Sequence, residues 1–148
     1  MARESQNLGA RQMSKLIKSD AVIINRSEPD IFNFISDFNN FGHLMPEQVV
    51  NYQSQVDSCF FEIKGLATLG LRIVERQPFS KVIMKGEGKL PFDFSFIYSS
   101  KSITDTSTET MLTIDADMNP FMAMMAVSPL QNFVNLLADK LKEIAEAS

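Results

Sequence analysis

The sequence predicts an α+β domain in which an antiparallel, curved sheet of about six or seven strands wraps a long C-terminal helix. Three observations predict it. Apolar and polar residues alternate with a period of two over five segments between Cys59 and Met118, the mark of a half-buried antiparallel strand. The period becomes helical before that stretch, with Ile31, Phe34, Ile35 and Phe38 at i, i+3, i+4 and i+7. It becomes helical again after it, where Leu130, Phe133, Val134, Leu137, Leu141 and Ile144 make one stripe. A sheet with one apolar face and a helix with one apolar stripe each need a cover, and each is the other's nearest partner.

The elements follow in chain order. Residues 1–15 are mostly polar and read as a disordered or loosely attached extension, with Met13 an alternative start and the domain running over 16–148. The first strand is expected over Lys18–Asn25, centred on Ala21-Val22-Ile23-Ile24. Ser27 is a helix N-cap, with Glu28, Pro29 and Asp30 in the first turn. A second short helix runs from Asp37 to about Leu44, ended by Gly42 and Pro46. Gln48–Gln55 reads as the next strand.

The meander then alternates through Cys59, Phe61 and Ile63, turns at Gly65, and continues through Ala67, Leu69, Leu71 and Ile73. Val82 and Met84 follow, with Gly86-Glu87-Gly88 as a turn. Phe92, Phe94, Phe96 and Tyr98, then Leu112, Ile114, Ala116 and Met118, complete the alternation. Asn119 and Pro120 suit a helix start, and the last helix extends to about Ala145, with Lys140 and Lys142 near its negative end. Ser128-Pro129 is expected to kink or restart that helix, with Ser128 as a second cap.

The bulk numbers exclude several functions. With 148 residues the chain is one domain with room for a core. A net charge of -4 gives no general attraction to nucleic acid or anionic lipid. A single cysteine, Cys59, excludes an intramolecular disulfide and fits a reducing compartment. The polar N-terminus lacks the apolar centre of a signal peptide, and no uninterrupted apolar run has the length of a membrane span, so a cytoplasmic location is expected. Twelve phenylalanines and nine methionines stand against two tyrosines and no tryptophan. That mixture suits either an ordinary core or a dry, deformable pocket.

Catalytic chemistry is hard to assemble. His43 is the one histidine, and no nucleophile lies at a telling spacing from it. Asp115 and Asp117 share a strand face opposite Ile114 and Ala116 and read, with Glu109, as a solvated edge. Cys59 reads as a buried, inert thiol. Arg72, Glu75 and Arg76 fall outside the apolar face. Gly86-Glu87-Gly88 lacks the strand-to-helix setting of a phosphate loop. No metal, nucleotide or other cofactor is therefore expected, and scarce titratable groups favour binding over catalysis.

The strand phase and the last helix put Phe61, Leu69, Leu71, Met84, Phe94, Phe96, Tyr98, Leu112, Ile114, Met122, Met125, Leu130 and Phe133 on one interior face, the candidate ligand-binding residues, with Tyr98 as their polar handle. The order of elements resembles the START-like, or SRPBCC, superfamily, which includes birch-pollen-allergen-like and polyketide-cyclase-like proteins. The resemblance covers about Ser19 to Ser148. It is carried locally by Pro29-Asp30-Ile31-Phe32-Asn33-Phe34-Ile35-Ser36-Asp37-Phe38-Asn39-Asn40-Phe41 followed by Met45-Pro46. From Phe61 to Leu141 the pattern looks most like the carbon monoxide dehydrogenase G-like and coenzyme Q-binding branches. The resemblance implies a helix-grip fold with a cavity between sheet and helix. Three readings follow: a carrier of an apolar small molecule such as a lipid, quinone or polyketide-like aromatic; a cyclase or dehydratase-type enzyme; and a protein–protein adapter with a filled core. Fold alone does not choose between them.

Overall fold

The structure, a computed structural model, describes residues 13–65, 67–88 and 92–147. Its strands are β1 (Met13–Lys18), β2 (Val22–Ile24), β3 (Val49–Ser54), β4 (Ser58–Ile63), β5 (Ala67–Gln77), β6 (Lys81–Glu87), β7 (Phe94–Thr104) and β8 (Ser107–Met118). The helices are α1 (Glu28–Ile35), α2 (Phe38–Phe41), which passes into a 3₁₀ turn over Gly42–Leu44, and α3 (Pro120–Ala147). All strand pairs are antiparallel, in the order β1-β8-β7-β6-β5-β4-β3, with β2 also on β8. The expected α+β helix-grip architecture is what the chain forms.

The N-terminal segment differs from expectation. Met13, Ser14 and Lys15, counted with the loose extension, begin β1, and residues 1–12 of that extension lie outside the described residues. The single expected strand over Lys18–Asn25 is two strands that share β8: Met13–Lys18 pairs with Met118–Thr113, and Val22–Ile24 with Thr110–Thr108. The interruption is stitched in place. The Ser19 N–H donates to the Leu112 carbonyl at 2.8 Å, and the Ser19 hydroxyl accepts from the Leu112 N–H at 3.0 Å. Asp20 N–H donates to the Asn135 side-chain oxygen of α3 at 2.8 Å. Side-chain hydrogen bonds of this kind let a chain leave a ladder without stranding backbone donors.

The caps form as expected. Ser27 Oγ accepts from Asp30 N–H at 3.2 Å, and Asp37 Oδ1 from Asn39 N–H at 2.8 Å. Asn119 Oδ1 accepts from Met122 N–H at 2.8 Å. In α1 the buried stripe is Ile31, Phe32 and Ile35, with Phe34 only half-buried. Phe32 goes inward because the ring of Phe79, from the β5–β6 turn, meets it edge-on at 5.5 Å.

Strand phase is as expected along the meander: Phe61, Leu69, Leu71, Val82, Met84, Phe96, Tyr98, Leu112, Ile114, Ala116 and Met118 are all buried. Gly86-Glu87-Gly88 is not simply a turn, since Gly86 and Glu87 continue β6, and Gly88, at φ 101, leaves the strand in the left-handed region that favours glycine.

The restart expected at the proline of the last helix is a second correction. α3 is helical from Pro120 through Ala147 with Pro129 inside it, so the helix does not restart and Ser128 is no cap. One backbone hydrogen bond is missing there. The carbonyl released belongs to Met125, on an exposed turn where water can satisfy it. The C-terminal half of α3 is fastened by Val134, Leu137, Ala138 and Leu141, all buried. Arg26 donates to the Ala145 carbonyl at 2.8 Å, so the cation completing the last turn comes from outside the helix. Lys142 donates to the Ile23 carbonyl and pairs with Glu146 at 2.7 Å.

Candidate functional site

Fastening α3 at its C-terminal half has a geometric consequence. That half lies against β1, β2 and β8, while the N-terminal half spans the concave side of the sheet. Beneath the spanning half is a cavity of about 310 Å³. Its floor is Phe61 and Ile63 of β4, Leu69 and Leu71 of β5, Phe94 and Phe96 of β7, and Ile114 of β8. Phe41, Met45 and Phe92 form the sides, and Met122, Met125, Ala126, Pro129, Leu130, Phe133 and Leu137 of α3 form the roof.

The walls are held by aromatic contacts. Phe41 meets Phe38 at 5.2 Å and Phe96 at 5.9 Å, both edge-on, and Phe92 meets Phe94 at 6.1 Å. Such pairs add about 0.5–1.5 kcal/mol beyond area burial. Tyr52 stacks on Phe61 at 6.0 Å while its hydroxyl donates to the Phe38 carbonyl at 2.7 Å, tying β3 to α2. Gly42 is required at that crossing, since a Cβ there would lie 2.9 Å from two atoms of the Tyr52 ring. Burial, reinforced by neighbouring Cys59, holds the Tyr52 phenol well above its ordinary range. Burial pushes the Cys59 thiol up to about 11.

Ten of the thirteen candidate residues come together on the cavity: Phe61, Leu69, Leu71, Phe94, Phe96, Ile114, Met122, Met125, Leu130 and Phe133. Met84, Tyr98 and Leu112 do not line it; all three are 0% exposed and belong to the packed core. Tyr98 is thus no polar handle for the cavity. Its hydroxyl is buried without a hydrogen-bond partner, although the hydroxyls of Ser100 and Thr110 are neighbours, and burial pushes it up to about 12. The candidate residues did not include Phe41, Met45, Ile63, Phe92, Ala126, Pro129 and Leu137, which also line the cavity, although Phe92 alternates in phase with Phe94. Ile63 and Leu137 were legible on the correct faces. Phe41 and Met45 were not, because their segment is short and its approach to the sheet depends on the Tyr52 bridge.

Among the described residues, no lining side chain carries a nitrogen or oxygen atom. His43 is exposed and does not line the cavity. Arg72 faces outward and pairs with Glu87 at 2.8 Å, and Arg76 pairs with Asp57 at 2.6 Å while donating to the Ser36 carbonyl at 2.7 Å. Asp115, expected in solvent, is half-covered by β1 and accepts from Ser14 at 3.1 Å.

No protein-family model matches the chain, and no curated protein matches it by sequence. Solved structures match it in shape. Norcoclaurine synthase from Thalictrum flavum, solved with dopamine and hydroxybenzaldehyde, superposes with a TM-score of 0.73 at 12% identity, over 92% of this chain and 88% of that one. A START superfamily protein from Mycobacterium smegmatis gives 0.70 at 13% identity, over 93% and 98%. A conserved protein from Geobacillus kaustophilus gives 0.66 at 13% identity, over 92% and 97%. With the sheet order, the gripped C-terminal helix and the cavity between them, these matches show that the chain has the START-like helix-grip fold.

Proposed function

We propose that this protein binds a compact, uncharged, apolar small molecule in the cavity beneath α3. The observation that carries the reading is the lining: every described lining side chain is hydrocarbon or thioether. Ligand pockets usually combine apolar walls with a few polar groups that fix orientation. Here a ligand carboxylate or hydroxyl buried in the cavity would surrender water for no side-chain partner, at a cost of about 1–3 kcal/mol per neutral group and more for a charge. The volume, about 310 Å³, lies at the lower end of the roughly 300–1,000 Å³ typical of small-molecule sites. That favours one to three fused or linked rings, or a short isoprenoid, over a two-chain lipid. Met45, Met122 and Met125 supply flexible walls, which favours selection by size over selection by shape.

The enzyme reading is weaker. General acid–base catalysis needs a titratable group within hydrogen-bond reach of the substrate, and the described lining offers none. The two ligands solved with norcoclaurine synthase both carry hydroxyls, for which these walls supply no partner. The adapter reading required a filled core.

The test is fluorescence titration with N-phenyl-1-naphthylamine and with its sulfonated analogue, 8-anilino-1-naphthalenesulfonate. The neutral probe is expected to bind, and the anionic one to bind at least about tenfold more weakly, since about 1.4 kcal/mol separates them per decade. Ala126→Trp, which fills the roof, and Phe96→Asp, which charges the floor, should each abolish binding of the neutral probe, with circular dichroism confirming the fold. Failure of wild type to bind the neutral probe, or undiminished binding by a folded Ala126→Trp, overturns the proposal.

A further inference from the structure

The N-terminal half of α3 has a second face. Phe121, Met124 and Met125 are 69%, 83% and 66% exposed. They are three large apolar side chains on adjacent turns of one helix end. Leu16, near Lys15 and Lys18, and Val74, near Arg72, Glu75 and Arg76, by contrast stand singly among charges. Isolated residues of that kind need no explanation, whereas a contiguous patch marks an interaction site. No charged residue occurs between Asp117 and Asp139, in a chain that is 22% charged overall. α3 is also the one described helix long and apolar enough, by length and composition, to cross a membrane. Val134, Leu137 and Leu141, each 0% exposed, instead seat its second half in the core.

We infer that the exposed start of α3 docks on the surface of an uncharged, zwitterionic lipid bilayer, with the cavity mouth facing the hydrocarbon. Three features select that occupant. The patch is continuous with the cavity, because Met125 both lines it and is exposed. A poorly water-soluble ligand entering there would cross apolar surface all the way. The patch is also small: three side chains at a helix end fall far short of the roughly 800 Å² per partner of a stable protein interface. Shallow insertion of a helix face into the headgroup boundary requires no such area. Finally, among the described residues flanking the start of α3 the charges are Asp93, Asp115 and Asp117 against Lys15, with Asp93 and Asp117 joined by a 2.9 Å backbone hydrogen bond. That balance opposes anionic lipid and leaves apolar insertion as the attraction. Delivery or collection of ligand at the bilayer rests on the cavity reading above; the docking itself does not.

The experiment is flotation of the full chain with phosphatidylcholine vesicles, alone and with phosphatidylglycerol. It compares wild type with Phe121→Ser/Met124→Ser, two positions outside the cavity lining. Wild type should co-float with phosphatidylcholine. Added phosphatidylglycerol should give no increase, and a rise in salt to about 0.5 M should give no loss, since screening weakens only charge attraction. The double variant should lose at least about tenfold in partitioning, as expected when buried apolar area is removed, and should bind N-phenyl-1-naphthylamine as wild type does. The inference is overturned if wild type does not float, if the variant floats equally well, or if only anionic vesicles bind and salt releases them. It is also overturned if sedimentation velocity shows a dimer that the variant dissociates, which would make a second copy the occupant. If flotation persists while the neutral probe fails to bind, docking stands and the ligand reading falls.

Discussion

The ring of Phe94 occupies the space that a side chain at Gly86 would take. A Cβ at residue 86 would lie 2.5 Å from Phe94 Cε1 and 2.9 Å from Cδ1 and Cζ. Gly86 is on the inner face of β6, two residues from Met84, so the Phe94 ring folds over β6 and screens it from the cavity. This explains why β6 contributes no lining residue although it lies between β5 and β7. Gly86→Ala must push the ring away, and the open direction is the cavity. The expected outcome is weaker N-phenyl-1-naphthylamine binding and a destabilisation of about 1–3 kcal/mol, the usual cost of overpacking. Denaturant melts and the probe titration check both. Unchanged affinity would show that the ring moves elsewhere.

Tyr98→Phe tests the demotion of Tyr98 from the site. Its hydroxyl is buried with no hydrogen-bond partner, and such a group costs about 1–3 kcal/mol to desolvate. Removing it should leave stability unchanged or higher and leave probe affinity unchanged. A destabilisation beyond about 1 kcal/mol would mean that the hydroxyl is satisfied, by an ordered water bridging to Thr110 for instance.

Alkaline pH should destabilise the folded protein. Burial raises Cys59 from 9.0 to about 11 and Tyr98 from 10.0 to about 12. As pH rises past about 9 the unfolded chain releases these protons while the folded chain keeps them. The unfolded state then binds fewer protons, and stability falls with rising pH through the window from about 9 to about 12, at up to about 1.4 kcal/mol per unit for each group. Below pH 9 these two groups contribute no slope. Urea midpoints from pH 8 to 11 check this, and Tyr98→Phe should flatten the upper part of the curve.

Cys59 should resist modification. It is 6% exposed and its thiol is pushed above ordinary values, and the thiolate is the reactive form. At pH 8 the native protein should react with Ellman's reagent at least about a hundredfold more slowly than the urea-unfolded chain, since access requires opening. Comparable rates would place the β4 end of the sheet in a locally open state.

Pro129→Ala should raise the melting temperature. The helix runs through Pro129 unbroken, and alanine restores a backbone donor at a position where proline is about 3 kcal/mol less favourable. The gain is offset in part because Pro129 lines the cavity roof. A fall in melting temperature would show that the proline's local geometry helps seat α3 on the sheet.

Much of this molecule was legible in the chain because periodicity is a local property. The alternation of Leu112, Ile114, Ala116 and Met118, or of Leu69, Leu71 and Ile73, follows from the pleat, and its phase says which side chains face inward. The caps at Ser27 and Asn119 are equally local, as is the stripe Val134, Leu137 and Leu141. The scarcity of charged residues on the inner face was likewise readable, since Cys59 and Tyr98 are the ionisable groups that the alternation turns inward. What periodicity lacks is depth. Met84, Tyr98 and Leu112 share a face with Phe96 and Ile114, yet they lie in the packed core, while Phe96 and Ile114 line an open cavity. That difference arises because α3 is fastened by its second half, through Leu137, Leu141 and the Arg26–Ala145 hydrogen bond. Its first half, carrying Met122, Met125 and Phe133, is left standing over the sheet. The split of the first strand at Ser19 and the inward turn of Phe32 toward Phe79 have a similar origin. In each, a partner distant in the chain outweighed a local preference, and only the assembled tertiary structure brings those partners together.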